Sequence, residues 1–455
     1  MIVMKFGGSS VADAQRIRHV AEIVKTQAGR NPVLVLSAMG DTTDHLLEAG
    51  NEAFKNGVVT VDKIEKHHLD TIKKLKLPNN VKKEILPLLE ELKRLLSGIS
   101  LIREMTPRTK DFLVTFGERL SVRIAAGYFN SIGVKAVACD AWDVGFLSDS
   151  NFTSAELAKE SWDLIPQKIK PLLESGVLPV VTGFIAKDVN GNITTLGRGG
   201  SDLTATMIAA ACKAEEAQVW KDVDGILTAD PRIVSKACPV ENVTYDEASE
   251  LAYFGAQVLH PRAMQPCIKT GTPVLVKNSY NISAAGTKIT ASLEKGNSPV
   301  RAITSRKNVT LVDIVSTRML GQYGFLAEVF STFARHHISI DMVATSEVSV
   351  SLTLDTGQDI SAVKKELSRI AGVEVKTGKA IVTIIGNVKR SSEILAKAFM
   401  TCRHIGVTVQ MVSHGASKVN ISFIVEDAES AEVVKALHMD FFESTGDAAK
   451  PGSKK

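Results

Sequence analysis

A lysine in an apolar run and an aspartate in a glycine turn are the residues of this chain best suited to moving a phosphoryl group. Lys5 stands within Ile2 to Phe6, directly ahead of Gly7, Gly8, Ser9 and Ser10. An ammonium in such a run is costly unless partners meet it; the alternative is a strand-end side chain that snorkels to solvent. The order differs from a P-loop, in which the lysine follows the glycines. Asp202 stands in TTLGRGGSDLTATMIAAA, Thr194 to Ala211, where a β-type run breaks at Gly197, Gly199 and Gly200 and resumes as an alanine-rich helix. Glycines let backbone N–H groups approach a ligand, and Ser201 and Asp202 read as N-cap residues, so the turn is an anion site. An acid there repels phosphate unless a cation stands between them, and Mg²⁺ or lysine is the usual cation beside a nucleotide. The loop calls for a lysine elsewhere, and Lys5 answers it, because phosphoryl transfer needs positive charge on the moving group.

These groups need a rigid frame. Pro32 to Ser37, Val134 to Cys139, Val177 to Thr182 and Gln218 to Trp220 read as strands, the first of them wholly apolar as in a parallel sheet buried on both faces. Alternating with helical patterns, they predict a mainly parallel α/β sheet ending near residue 295. Ligands of such sheets bind beyond the strand C-termini, where this chain places Ala38 to Asp44 and Lys221 to Arg232. A helix from about Gly117 puts Glu118 in a first turn, where the dipole favours a carboxylate with or without a ligand. The Lys/Glu-rich stretch 59–105 has apolar residues at helical spacing and a break at Pro78-Asn79-Asn80. It predicts a helical excursion without chemistry of its own. Asn190-Gly191 marks a hairpin.

From Asn308 the texture changes to an internal repeat. VTLVDIV at 309–315 matches IVTIIG at 381–386, FLAEVFSTFARHHISIDMV at 325–343 matches ILAKAFMTCRHIGVTVQMV at 394–412, and VSVSLTLD at 348–355 matches VNISFIVED at 419–427. Each unit reads as a small ferredoxin-like module. Asp341 of the first becomes Gln410 of the second. Beside Ser339, Thr345 and Ser346, that acid is either a holder of a ligand ammonium or a solvated loop residue.

The totals set bounds. A chain of 455 residues predicts two or three domains. A net charge of +4, without basic runs or interleaved aromatics, gives no support to nucleic-acid binding. The five cysteines form no C-x-x-C pair, which argues against a zinc site and a disulfide framework. No apolar run approaches the ~20 residues of a membrane span, and Met1 leads straight into a strand pattern. A cytoplasmic protein is expected.

Seven blocks now carry a resemblance to the aspartate kinase family over almost the whole chain: KFGGSSVA at 5–12, SAMGDTTD at 37–44, FGERLS at 116–121, TLGRGGSDLTA at 195–205, KDVDGILTADPR at 221–232, FGAQVLHPRA at 254–263 and TSEVSVSLTLD at 345–355. The resemblance implies an α/β fold: an open αβα sandwich amino acid kinase domain over 1–295, followed by two ferredoxin-like (βαββαβ) ACT modules over 308–378 and 379–443 and a polar tail over 444–455. In this family the two modules are often interleaved. The implied reaction is ATP plus L-aspartate giving ADP and 4-phospho-L-aspartate, with Mg²⁺ and without a metal site of protein side chains. By match to the family motifs, Lys5 sits on the transferring group, Asp202 orients it, and Gly7, Gly8 and Ser9 donate to phosphate. Lys221, Asp222, Leu227, Asp230, Arg232 and Gln257 border the nucleotide, although many bacterial relatives carry lysine in place of Gln257. Arg198 forks a substrate carboxylate, Glu118 holds the substrate ammonium, and Ser37, Thr43, Gly199 and Ser201 line the same pocket. The first ACT module resembles those that bind lysine as feedback inhibitor, through Met319, Gly324, Phe325, Leu326, Ser339, Ile340, Asp341, Thr345, Ser346 and Glu347. A homodimer, or a dimer of dimers, through the ACT modules is implied. Two other readings stay open: a sister kinase of the same fold acting on another acid or a nucleoside monophosphate, and a catalytically dead amino-acid sensor.

Overall fold

The computed structural model describes residues 1–254, 259–292, 300–316, 323–355, 357–386, 390–414 and 419–443. Gln257, Met319 and the tail 444–455 lie outside them. Contacts group the chain into two compact units, residues 1–226, 241–245 and 258–293 in the first and 227–240, 246–257 and 294–455 in the second.

In chain order the elements of the first stretch are β1 (Ile2–Phe6), α1 (Ala14–Thr26), β2 (Pro32–Leu36), α2 (Thr42–Asn56), α3 (Asp62–Leu75), α4 (Asn79–Ile102), α5 (Pro107–Ser131), β3 (Ala136–Cys139), β4 (Leu147–Ser148), α6 (Ser161–Glu174), β5 (Leu178–Thr182), β6 (Ile185–Asp188), β7 (Ile193–Thr195), α7 (Gly200–Ala211), β8 (Ala217–Lys221), β9 (Asn242–Thr244), α8 (Tyr245–Phe254), α9 (Pro261–Thr270), β10 (Val274–Asn278) and β11 (Thr287–Thr290). Eight of the strands form one sheet in the order β3-β5-β2-β1-β8-β10-β11-β9. It is parallel from β3 to β10, and β11 turns antiparallel to β10. Every residue of β1, β2 and β5 is buried, as helices on both faces of a parallel sheet require. The helical stretch 62–102 does more than cover this sheet. The α4 seam of Val81, Ile85, Leu88, Leu89, Leu92, Leu96 and Ile99 lies in the same apolar core as β1, β2 and α5. Each such burial contributes roughly 1.5–3 kcal/mol over exposure.

One helix boundary departs from the sequence expectation. α5 begins at Pro107 rather than near Gly117, because the Thr106 side chain accepts from the Thr109 N–H and Pro107 takes the first helical position, where its missing N–H costs nothing. Glu118 is therefore mid-helix, and the dipole of a first turn does not explain it.

The second unit continues with β12 (Val300–Val315), α10 (Phe325–Arg335), β13 (Ile340–Thr345), β14 (Ser349–Leu354), α11 (Ser361–Leu367), β15 (Gly372–Gly386), α12 (Ser391–His404), β16 (Met411–Ser413), β17 (Asn420–Glu426) and α13 (Ser430–His438). Six strands form a sheet in the order β13-β14-β12-β15-β17-β16. The long strands β12 and β15 pair antiparallel along their lengths, with register shifts at Arg306 and Val309. Beyond the shifts, Val312 and Ile314 pack with Val329, Phe333 and Leu352 in one apolar core. Before them, Val300 and Ile303 pack with Ile384, Ile394, Phe423 and Leu437 in another. The module built on β17 thus draws its outer strand from residues 300–306, ahead of the module built on β14.

Candidate active site

Lys5 is the centre of a buried charge cluster. Its strand lies between β2 and β8, opposite Val35 and Val219, and its side chain is only 8% exposed, so it does not snorkel to solvent. The ammonium is instead 2.6 Å from Oδ1 of Asp202. The other oxygen of that carboxylate faces Lys221 Nζ at 3.6 Å, from the end of β8. Burial alone would raise the Asp202 carboxyl, but Lys5 and Lys221 together hold it below the usual carboxylate value. Burial pushes the Lys221 ammonium down. Two cations on one carboxylate leave the cluster with net positive charge, at the start of a helix whose dipole also favours an anion.

The turn before α7 places Asp202 there. Gly199, rather than Ser201 or Asp202, is the residue at the helix N-cap, and its φ of +75° is the reason: a side chain there would be strained, and its Cβ would meet His260 Cβ at 2.8 Å. Ser201 and Asp202 fall in the first helical turn, with Asp202 turned inward and 5% exposed. The Ser37 hydroxyl donates to Ser201 Oγ at 3.0 Å, joining the end of β2 to the same helix start.

Beside this cluster opens a cavity of about 480 Å³ that Lys5, Ser37, Thr43, Glu118, Arg198 and Asp202 all line. Arg198 itself is exposed. Glu118 is almost wholly buried, accepts the Ala38 N–H at 3.2 Å on Oε1, and has no hydrogen-bond partner on Oε2 among the described residues. Burial pushes its carboxyl up to about 8. An orphaned buried carboxylate oxygen costs free energy until a donor arrives, and an ammonium is the donor that would also restore its charge.

The sequence expectations are thus gathered in part. The cavity unites Lys5, Asp202, Glu118, Arg198, Ser37, Thr43, Gly199 and Ser201. Gly7, Gly8 and Ser9 follow β1, and a Cβ on Gly8 would lie 2.8 Å from the Ala38 carbonyl, so that backbone runs hard against the exit of β2. Leu227, Asp230 and Arg232 belong to the second unit, where the Asp230 carboxylate accepts from the Arg232 guanidinium at 2.7 Å. Asp111, Thr153, Phe184 and Thr195 also line the cavity. Asp111 carried no signal in the sequence, because the helix that holds it was expected to begin only near Gly117, whereas it begins at Pro107.

The amino acid kinase family model matches residues 1–278, and an ACT domain model matches 312–365 and 382–441. Aspartokinase 1, chloroplastic, of Arabidopsis thaliana is 50% identical over 97% of this chain and 80% of its own length. Lysine-sensitive aspartokinase 3 of Escherichia coli is 35% identical over 97% of this chain and 99% of its own. The chain belongs to the aspartokinase family. It is an enzyme of that family, an ATP-using kinase whose amino acid kinase domain is followed by ACT domains. Two solved aspartokinases agree in fold. Escherichia coli aspartokinase III in complex with lysine and aspartate superposes with a TM-score of 0.80, at 35% identity over 97% of this chain and 99% of that one. The Clostridium acetobutylicum aspartate kinase gives 0.84, at 27% identity over 97% and 100%.

In the ACT part of this aspartokinase-family chain, Asp341 is the second residue of β13, not a solvated loop acid. Its side chain is 2% exposed, with Arg306 Nη1 at 3.5 Å. Gly324, at φ +91°, precedes α10, whose first residues are Phe325 and Leu326. Ser339 and Ile340 enter β13, Thr345 ends it, and the Ser346 hydroxyl pairs with that of Ser349 at 2.7 Å, with Glu347 in the turn between.

Proposed function

We propose that the chain transfers the γ-phosphoryl group of Mg·ATP to the β-carboxylate of L-aspartate, with Lys5, Asp202, Glu118 and Arg198 as the working residues. What supports this reading is the gathering, in one cavity, of an orphaned buried carboxylate, an arginine and a lysine–aspartate pair. Glu118 takes the substrate ammonium and Arg198 forks its α-carboxylate, which leaves the β-carboxylate aimed at the nucleotide. That carboxylate is ionised at neutral pH and is itself the nucleophile, so no general base is needed. An oxygen–phosphorus bond forms to the β-carboxylate as the bond to the β,γ-bridging oxygen breaks, and ADP leaves with that electron pair. Lys5 neutralises charge on the moving group and Asp202 holds the ammonium in place, so catalysis is positioning and electrostatics. Ser37, Thr43, Gly199 and Ser201 complete the amino-acid pocket. Gly7, Gly8, Ser9, Lys221, Asp222, Leu227, Asp230, Arg232 and Gln257 are assigned to the nucleotide side. Mg²⁺ comes with the ATP phosphates, since both Asp202 oxygens already face ammonium groups.

Regulation is assigned to the first ACT module, with L-lysine as inhibitor. The bacterial relative at 35% identity is named lysine-sensitive, and a structure of the Escherichia coli enzyme contains lysine. The same reading takes the protein to be cytoplasmic, homodimeric through its ACT modules, and at the entry to lysine, threonine and methionine synthesis. No helix among the described residues is long and apolar enough to cross a membrane; the plant relatives are named chloroplastic.

The test is ADP release from Mg·ATP with L-aspartate, with and without lysine, alongside Lys5→Ala. Aspartate-dependent turnover that falls by about 10²-fold or more in Lys5→Ala supports the catalytic assignment. Turnover with another acid but not with aspartate overturns the substrate, and turnover indifferent to lysine overturns the effector.

A further inference from the structure

Asp111 is 1% exposed and lines the cavity without a place in the scheme above. It sits on α5 seven positions before Glu118, so the two carboxylates project from one face of the helix about two turns apart. Its Oδ2 accepts the N–H of Thr153 at 2.8 Å and that of Thr195 at 2.9 Å, and its Oδ1 accepts the Thr195 hydroxyl at 2.8 Å. Thr195 is the last residue of β7 and leads through Leu196 and Gly197 to Arg198. Thr153 holds φ at +72°, a backbone that a β-branched residue adopts only when its surroundings enforce it. Its carbonyl stands 3.2 Å from the point a Cβ on Gly197 would occupy. Arg262 grips the same strip, donating to the Leu196 carbonyl at 3.0 Å and the Ala155 carbonyl at 2.6 Å.

We propose that Asp111 is a positioning residue that fixes the separation between Glu118 and Arg198, and with it the length of amino-acid substrate the cavity accepts. The inference rests on the proposed reading of Glu118 and Arg198 as holders of the two ends of one amino acid. Two donors of Thr195, from the strip that carries Arg198, and a third from Thr153, whose segment packs against that strip, converge on one buried carboxylate of the helix that carries Glu118. Removing that carboxylate frees the strip to shift relative to the helix, while Lys5 and Asp202 keep their own ion pair.

The experiment compares the KM values for aspartate and for ATP, and kcat/KM for aspartate against glutamate, in the wild-type chain, Asp111→Ala, Asp111→Asn and Thr195→Val. Asp111→Ala is expected to raise the aspartate KM by about tenfold to a hundredfold, keep the ATP KM within about twofold, and narrow the preference for aspartate over glutamate. Asp111→Asn, which retains an oxygen for both N–H groups, is expected to recover most of the loss. Thr195→Val removes only the hydroxyl bond and gives a smaller rise, which reads the same property if Asp111→Ala does not fold. An aspartate KM unchanged in the variants that fold, or one that rises in step with the ATP KM, overturns the inference while leaving the substrate reading intact. Absence of aspartate turnover in the wild-type chain overturns the substrate reading and the inference together.

Discussion

Glu118 meets the cavity with a carboxyl that burial pushes up to about 8 and one oxygen that nothing in the described chain satisfies. In the empty site at neutral pH most of the population is therefore protonated, whereas the ammonium of an amino acid calls for the anion. On the proposed reading of Glu118, binding must expel that proton. The sign follows directly: below about 8 each unit fall in pH costs about tenfold in the competent fraction, and above it the dependence flattens. Aspartate affinity, or its KM where chemistry is slow, is expected to improve steeply from pH 6 to pH 8, with a proton released on binding that calorimetry in buffers of different ionisation enthalpy would detect. Glu118→Gln should weaken aspartate binding and abolish the steep pH dependence. A flat profile in the wild-type enzyme would remove Glu118 from the ammonium site. Asp202 behaves oppositely although it is as deeply buried, because Lys5 and Lys221 offset the burial and keep it ionised. At this scale the sequence was most legible: the lysine in the apolar run and the acid in the glycine turn require each other, and the structure places them 2.6 Å apart. Asp111 was not legible, because its partners are two backbone N–H groups and a threonine hydroxyl, none of which leaves a pattern in the sequence.

Elements were readable where burial dictated them and misread where a glycine had another purpose. The wholly apolar strands and the strand–turn–helix at Lys5 follow from apolar period and turn residues. Gly117 instead reads as a helix boundary, yet it lies within α5 and is needed for contact: a Cβ there would sit 2.7 Å from Ala38 Cβ, below any real separation. Ala38 is also the residue whose N–H meets Glu118. Gly117→Ala gains about 1 kcal/mol in intrinsic helix propensity, but the overpacking it forces costs typically 1–3 kcal/mol, and Ala38 has no flexible end with which to yield. A net loss of stability in denaturant titration, together with a raised aspartate KM, is the expected outcome. A stabilised Gly117→Ala protein would show that α5 and the loop after β2 part easily. The strand at 300–306 was missed for a related reason. Its apolar residues, Val300, Ala302 and Ile303, are too few to mark a strand alone, and only pairing with 381–386 of the distant β15 makes it one.

At the scale of the molecule, the internal repeat announced two similar modules, but a linear repeat does not report which strand packs where. β12 and β15 each run through both modules, and Arg306 stands at the register shift where β12 passes from one apolar core toward the other. Its guanidinium reaches Asp341 on β13 and also Asp355 beyond β14. Asp341 thus already faces a cation, and on the proposed lysine reading an effector ammonium must take over that carboxylate. That exchange would alter what Arg306 holds at the joint of the two modules, which is a physical route from a small ligand to the packing of the whole unit. Asp341→Ala removes both the anchor proposed for the effector and one of the groups facing Arg306. Uninhibited turnover with aspartate and Mg·ATP is expected to stay near that of the wild-type enzyme, because Asp341 is not among the residues that line the cavity of Lys5, Glu118 and Arg198. Inhibition by lysine is expected to need at least tenfold more effector, about 1.4 kcal/mol of lost binding. Dose–response curves for lysine on the two proteins decide it: coincident curves would take Asp341 out of the effector site, and a fall in uninhibited turnover would mean that the Arg306–Asp341 pair supports the active arrangement rather than waiting for lysine.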